Sequence, residues 1–173
     1  DGYIPRIKTT ADADRIILYT MNRHQDELNL YAANPKTGAC RLLIRERVPK
    51  YVKEEAMEGI RIMKDYILLP SDRDGYMHFY LYSKEGKLLR QIDKGNYDVT
   101  EIYGYDDKTG NTYFQAAARK PMQRESYVAD KSGRLTCLSA HAGWNAAAFS
   151  GDYRYFLNTW SDRNHPYVYA IYD

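Results

Sequence analysis

The stretch Phe79-Tyr80-Leu81-Tyr82-Ser83-Lys84-Glu85-Gly86 decides the fold, because it occurs three times in different words. An aromatic and branched run comes first, then a short polar turn that ends in Gly. The same phrase is written at Leu28–Tyr31 with Asn34-Pro35-Lys36-Thr37-Gly38, and at Ser126–Ala129 with Asp130-Lys131-Ser132-Gly133. The three glycines fall 48 and 47 residues apart (86 − 38 and 133 − 86). Strand-only self-similarity at a period of about 40–50 residues is the mark of β-propeller blades. Such a blade is a four-stranded antiparallel sheet that buries its faces only by stacking on its neighbours. The expected fold is therefore all-β: a partial propeller of about four blades, the last incomplete.

Working outward, the blades are expected at 3–46, 57–95, 98–139 and 144–173. The strands of the first are placed at 3–10, 15–22, 28–33 and 40–46. The second uses 57–63, 65–71, 77–83 and 87–93; the third uses 99–106, 111–118, 124–130 and 134–139. The fourth has only 145–150, 153–160 and 166–172. In the strand 15–22, Ile16, Leu18 and Thr20 alternate with Ile17, Tyr19 and Met21, a pattern that suits cover on both faces. The one helix-favouring stretch, Val52–Met63, is read as at most one short turn before its strand.

Composition narrows the function classes. Of 173 residues 44% are apolar, 18 of them Tyr, which excludes wholesale disorder and suits half-buried strands. Lys and Arg number 25 against 23 Asp and Glu, a net charge of +2. That balance, with no basic stripe, argues against a nucleic-acid partner. No run approaches the roughly 18 apolar residues of a membrane span. The start, Asp1-Gly2-Tyr3, has neither an initiator Met nor a signal peptide and reads as a cut end. Cys40 and Cys137 fall early in the fourth strands of blades one and three and are read as two buried, unbridged thiols.

Antiparallel order sorts the loops. The Gly turns join third to fourth strands on one rim, where Gly supplies the positive φ of a tight hairpin. The second-to-third loops gather on the other rim, and they are longer and charged. They are 22–25, 71–75, 118–121 and 161–166, joined there by the segment 45–58. Candidate rim residues are Arg23, His24, Arg73, Asp74, Arg119, Asp162 and Arg163. Arg73-Asp74 before Gly75 reads as a turn with the Arg paired to a neighbouring carboxylate, or else as a binding pair. Glu54-Glu55 reads as a solvated face, or as a seat for a cationic group.

Hydrolytic machinery is missing from the pattern. There is no G-x-S-x-G, and Phe149-Ser150-Gly151 sits in a strand-to-strand turn without the required glycine spacing. His24, His78, His141 and His165 have no ligand-like neighbours, so neither a metal nor a cofactor is expected. His24 and His165 read as loop residues, and His78 as a structural one.

Three further stretches carry a resemblance. They are Tyr3–Ile7 with Met21-Asn22-Arg23-His24-Gln25-Asp26-Glu27-Leu28-Asn29-Leu30-Tyr31, Ser71–Tyr82, and Gly151–Asp162. In order and spacing they resemble the propeller of the bacterial dipeptidyl peptidase IV family, of the prolyl oligopeptidase class of serine peptidases. The resemblance implies an eight-bladed propeller of which this chain is roughly the second half, and a catalytic α/β-hydrolase domain after residue 173. It implies removal of N-terminal X-Pro or X-Ala dipeptides and a periplasmic or extracytoplasmic location. The family's triad and its paired amine-binding glutamates would then lie outside this chain, and Glu54-Glu55 do not match the latter. Met77 stands where family members often have Arg. The implied partners are peptide substrates and the hydrolase domain, on which the charged rim would dock while the propeller shapes and gates the substrate chamber. The chain alone is expected not to hydrolyse peptides, and to self-associate, two halves making an eight-blade ring. The alternative is a non-enzymatic periplasmic propeller that binds a protein or ligand.

Overall fold

The computed structural model describes residues 2–173. Among these residues fifteen strands form four sheets of four, four, four and three antiparallel strands, each sheet in chain order, as an incomplete four-bladed propeller requires. The first sheet holds β1 (Gly2–Thr9), β2 (Ile16–Asn22), β3 (Glu27–Ala33) and β4 (Cys40–Arg47). A short helix, α1 (Glu54–Glu58), leads to the second: β5 (Arg61–Ile62), β6 (Tyr66–Ser71), β7 (His78–Ser83) and β8 (Leu88–Gln91). The third comprises β9 (Val99–Asp106), β10 (Asn111–Ala116), β11 (Glu125–Ala129) and β12 (Leu135–Cys137). The fourth has β13 (Trp144–Phe149), β14 (Phe156–Ser161) and β15 (Val168–Tyr172). The chain divides into two compact units, Asp1–Gly75 with Phe79–Arg90, and Tyr76–His78 with Gln91–Asp173.

In the first unit, pairing of Ile17, Tyr19 and Met21 with Ala32, Leu30 and Leu28 puts one apolar set on one face. A bulge opposite Leu30 and Tyr31 inserts Leu43, so Leu43 and Ile44 are both buried. This face shares a core with Ile67, Leu69, Tyr80 and Tyr82 of the second sheet. The opposite face of β2, with Ile16, Leu18 and Thr20, is only half-buried, short of the two-sided cover its alternation suggests. By contrast β6 and β7 are buried on both faces.

The strand expected at 57–63 is mostly not a strand. Residues 54–58 are helical, with Glu54 and Glu55 in the first turn, where the helix dipole favours negative charge. Helical spacing lets Ala56, Met57 and Ile60 all reach the buried interior, which a period of two would not. Only Arg61–Ile62 remains as β5.

The second unit is held by aromatic rings. Tyr113 takes Phe149 at 4.8 Å and Tyr153, stacked within 2° of parallel, at 4.7 Å. Phe149, Phe156 and Tyr172 continue the stack. A β-carbon on Gly104 would stand 2.1 Å from the Tyr153 hydroxyl, so only Gly lets that ring in. Buried Asn145 donates from Nδ2 to the carbonyls of Arg124 and His141 and accepts from Asn158, tying β13 and β14 to the chain around them.

The three repeat turns use one device. Asn34, Ser83 and Asp130 each accept backbone N–H groups two to four residues ahead, and each turn closes on a Gly of positive φ. Asp130 is held down to about 2, first by the Ser132 hydroxyl and then by the Arg134 amide.

The cysteines correct an expectation. Cys40 is exposed and Cys137 half-buried, and both are free. Cys40 opens β4, an outermost strand whose first residues face solvent, and Cys137 closes the short β12 rather than opening it.

Candidate functional site

In each of the first three sheets strand order places the second-to-third loop at the end opposite the glycine turn. In the first unit Glu27 pairs with Arg47, so β4 finishes beside the β2–β3 turn that carries Arg23 and His24. The onward segment stays there: Val48 N–H donates to the Asp26 carbonyl and Val52 N–H to that of Gln25. Arg23 and His24 are exposed.

Arg73 and Asp74, in the β6–β7 loop, are drawn inward instead. The guanidinium of Arg73 donates through Nη2 to Glu46 and, at 2.9 Å, to the Tyr82 hydroxyl oxygen. Its Nε donates to Ser71 Oγ at 3.1 Å, and its plane lies 4.1 Å over the Tyr80 ring. Ser71 donates its hydroxyl proton to the other Glu46 oxygen, and Tyr80 donates to Asp74. Arg73 thus meets a neighbouring carboxylate, the first of the two readings of this pair.

The electrostatics follow from burial. The Glu46 side chain is 4% exposed and that of Arg73 26%. Burial pushes the Glu46 carboxyl up, opposed by Ser71 and Arg73. Burial also works against the Arg73 charge, but Tyr82 and Glu46 outweigh it and the guanidinium holds its proton more tightly than usual. The Tyr80 hydroxyl is raised by burial first and by the Asp74 hydrogen bond second. These hydrogen bonds are spent within the cluster, where they order the β6–β7 loop.

The repeat has a second version in the second unit. Aligning the turns at Ser83 and Asp130 makes Tyr80 and Tyr127 equivalent. Tyr127 donates to Glu125 Oε2 at 2.7 Å, and Arg119, of the β10–β11 loop, stands 3.6 Å from Glu125 Oε1. Both blades therefore place a tyrosine, a carboxylate and a loop arginine together. In the last sheet Asp162 accepts from the amides of Asn164 and His165 and pairs with the His165 ring at 2.8 Å. The Asn164 amide first, then the His165 ring and amide, hold its carboxyl below the usual range. Arg163 is exposed.

Other candidates take modest places. Glu54 and Glu55 are exposed, and Glu54 and Glu58 flank Arg6 at 3.8 and 2.9 Å, a solvated surface set. Ser150 donates to Asp152 within its own turn. Among the described residues no group of three or more His, Cys, Asp or Glu is arranged to hold a metal ion. No helix among them is long and apolar enough to cross a membrane. Sequence reasoning missed Glu46, Ser71, Tyr82, Glu125 and Tyr127. The equivalence of Tyr80 and Tyr127 was the available signal, whereas the carboxylates have no fixed place in the repeat.

Comparison with known proteins agrees with the geometry. The crystal structure of Porphyromonas gingivalis dipeptidyl peptidase 4 superposes with a TM-score of 0.92 over 99% of this chain, at 37% identity, and the match spans 24% of that chain. A dipeptidyl peptidase 4 of Arthroderma otae is 30% identical over 115 residues, 64% of this chain and 15% of that protein. Dipeptidyl peptidase family member 1 of Caenorhabditis elegans is 27% identical over 150 residues, 78% of this chain and 19% of the relative. The chain thus spans less than a quarter of the length of each of these relatives. The family model for the dipeptidyl peptidase IV (DPP IV) N-terminal region matches residues 1–167, and the chain belongs to that family.

Proposed function

We propose that this chain is the second half of the propeller of a bacterial dipeptidyl peptidase IV-like serine exopeptidase, one that removes N-terminal X-Pro or X-Ala dipeptides. The observation that carries the reading is the superposition on Porphyromonas gingivalis dipeptidyl peptidase 4 along nearly the whole chain. In this reading the α/β-hydrolase domain with the Ser, Asp and His follows residue 173. The propeller shapes and gates the substrate chamber, and the rim with Arg23, His24, Arg73, Asp74, Arg119, Asp162 and Arg163 faces the hydrolase domain. The parent works outside the cytoplasm, in the periplasm. In this reading the chain alone has no peptidase role, because the Ser, Asp and His lie in the domain that follows. It self-associates through the last sheet, where Tyr167, Val168, Tyr169 and Ile171 are exposed on or beside a strand with an open edge.

A second reading is a non-catalytic propeller scaffold. It is favoured by the similarity, 24% identity over 151 residues, to a rat protein named inactive dipeptidyl peptidase 10. Expression of the full reading frame separates the two. Release of chromophore from a Gly-Pro substrate, lost on replacing the Ser of a downstream G-x-S-x-G, supports the peptidase. A reading frame without that motif, or one whose product shows no turnover, supports the scaffold. Turnover by residues 1–173 alone would overturn the assignment of catalysis to a following domain.

A further inference from the structure

His78 is buried, 3% exposed, and both of its ring nitrogens face oxygen. Nδ1 lies 2.7 Å from Oδ2 of Asp93, itself 2% exposed. Nε2 lies 3.1 Å from the carbonyl oxygen of Gly95. A carbonyl oxygen can only accept, so Nε2 must carry a hydrogen. A neutral ring protonated there would turn the bare lone pair of Nδ1 toward a carboxylate oxygen at 2.7 Å. A neutral ring protonated only at Nδ1 would set the Nε2 lone pair against that carbonyl. With Asp93 ionised, both neutral forms put lone pair against lone pair in a site sheltered from water, where such repulsion is least screened.

We propose that His78 is a doubly protonated imidazolium at neutral pH, and that its ion pair with Asp93 is a proton-dependent pin holding the segment 92–98 to Met77-His78. The same segment is tied by two further bonds. Met77 N–H donates to Asp98 Oδ1 at 2.7 Å, and Val99 N–H donates to the Met77 carbonyl at 2.9 Å. The segment leads directly into β9, so the pin sets where the third sheet begins. Tyr97 closes over the ring edge-on at 5.5 Å. Its hydroxyl is held neutral by burial first and by the Asp93 charge second. The segment's other charged residues, Lys94 and Asp98, are exposed.

The sign of the pH effect follows. The fold raises the affinity of His78 for its second proton above that of a free histidine, which titrates near about 6.5. The stabilisation is complete below that pH and is lost as pH rises through the higher folded-state midpoint. The pin therefore loosens on the alkaline side.

The test is ¹H–¹⁵N NMR of the imidazole resonances from pH 5 to 11. Both ring nitrogens are expected to be protonated at pH 7.5, with a midpoint at least about one unit above the free value. Asp93→Asn keeps the shape and removes the charge, and should drop the midpoint by two units or more, because burial alone disfavours the charged ring. Hydrogen exchange at Met77 and Val99 should quicken above the wild-type midpoint beyond the rise seen at other strand amides. An Nδ1 without its proton at pH 7.5 overturns the proposal. So does a midpoint that Asp93→Asn leaves unmoved. If Asp93→Asn fails to fold, the wild-type titration alone decides.

Discussion

Gly38, Gly86 and Gly133 occupy one place in the repeat, yet alanine should be punished very differently at each. All three have positive φ, 74°, 89° and 86°. An L-residue there costs about 1–2 kcal/mol, offset by about 0.4–1 kcal/mol from the stiffer unfolded chain. At Gly38 a β-carbon would meet nothing within 4 Å, and at Gly133 only the Ile92 carbonyl oxygen at 3.6 Å. Those two variants should lose about 1 kcal/mol each. At Gly86 the β-carbon would stand 2.0 Å from the Leu43 carbonyl oxygen and 2.5 Å from its carbon. Real contacts of this kind are not closer than 3.0 Å, so a backbone shift of roughly 1 Å is forced. The obstacle is backbone in mid-strand and cannot rotate away. Forced overpacking adds about 1–3 kcal/mol, for a total loss of about 3 kcal/mol in Gly86→Ala. Urea unfolding of the three variants against wild type, read at constant m, measures this. A Gly86→Ala midpoint falling with those of Gly38→Ala and Gly133→Ala would refute the steric argument.

Arg73→Ala should cost about 3–5 kcal/mol, because it strands a buried Glu46 charge, whereas Arg73→Met with Glu46→Leu should cost much less; paired denaturation curves check the difference. The carboxyls of Asp106, Asp130, Asp152 and Asp162 are held low by hydrogen bonds within their turns. Their contribution is present above the unfolded value of about 4 and should be lost as pH falls toward the Asp130 value of about 2. Carbon-detected NMR titration of those side chains reads it, and ordinary midpoints would contradict the turn geometry. Light scattering of the purified chain should show species larger than a monomer at high concentration. Tyr169→Lys with Ile171→Lys should return it to a monomer, and a wild-type monomer throughout would refute association through β15.

Much of the molecule was legible because strands and turns are local. Period-two alternation and a Gly of positive φ act within a few residues, so most of the strands and the three hairpins could be read directly, whereas the strand expected from 153 starts only at Phe156, after a turn in which Tyr153 has a φ of 58°. Short-range chemistry also covered the Arg73-Asp74-Gly75 turn. Residues 54–60 were harder, because Glu, Ala and Met suit either state and the choice rests on whether Ala56, Met57 and Ile60 can all be buried at once. Burial itself is a tertiary quantity. Glu46 lies in a charged stretch between Arg45 and Arg47, and only the approach of the β6–β7 loop makes it the buried partner of Arg73. The protonation of His78 likewise depends on Asp93 and Gly95, 15 and 17 residues away. The repeat alone told that Gly belongs at 38, 86 and 133. That Gly86 must also clear the Leu43 carbonyl was decided by the packing of one sheet on the next, because contact distance, unlike φ, has no local code.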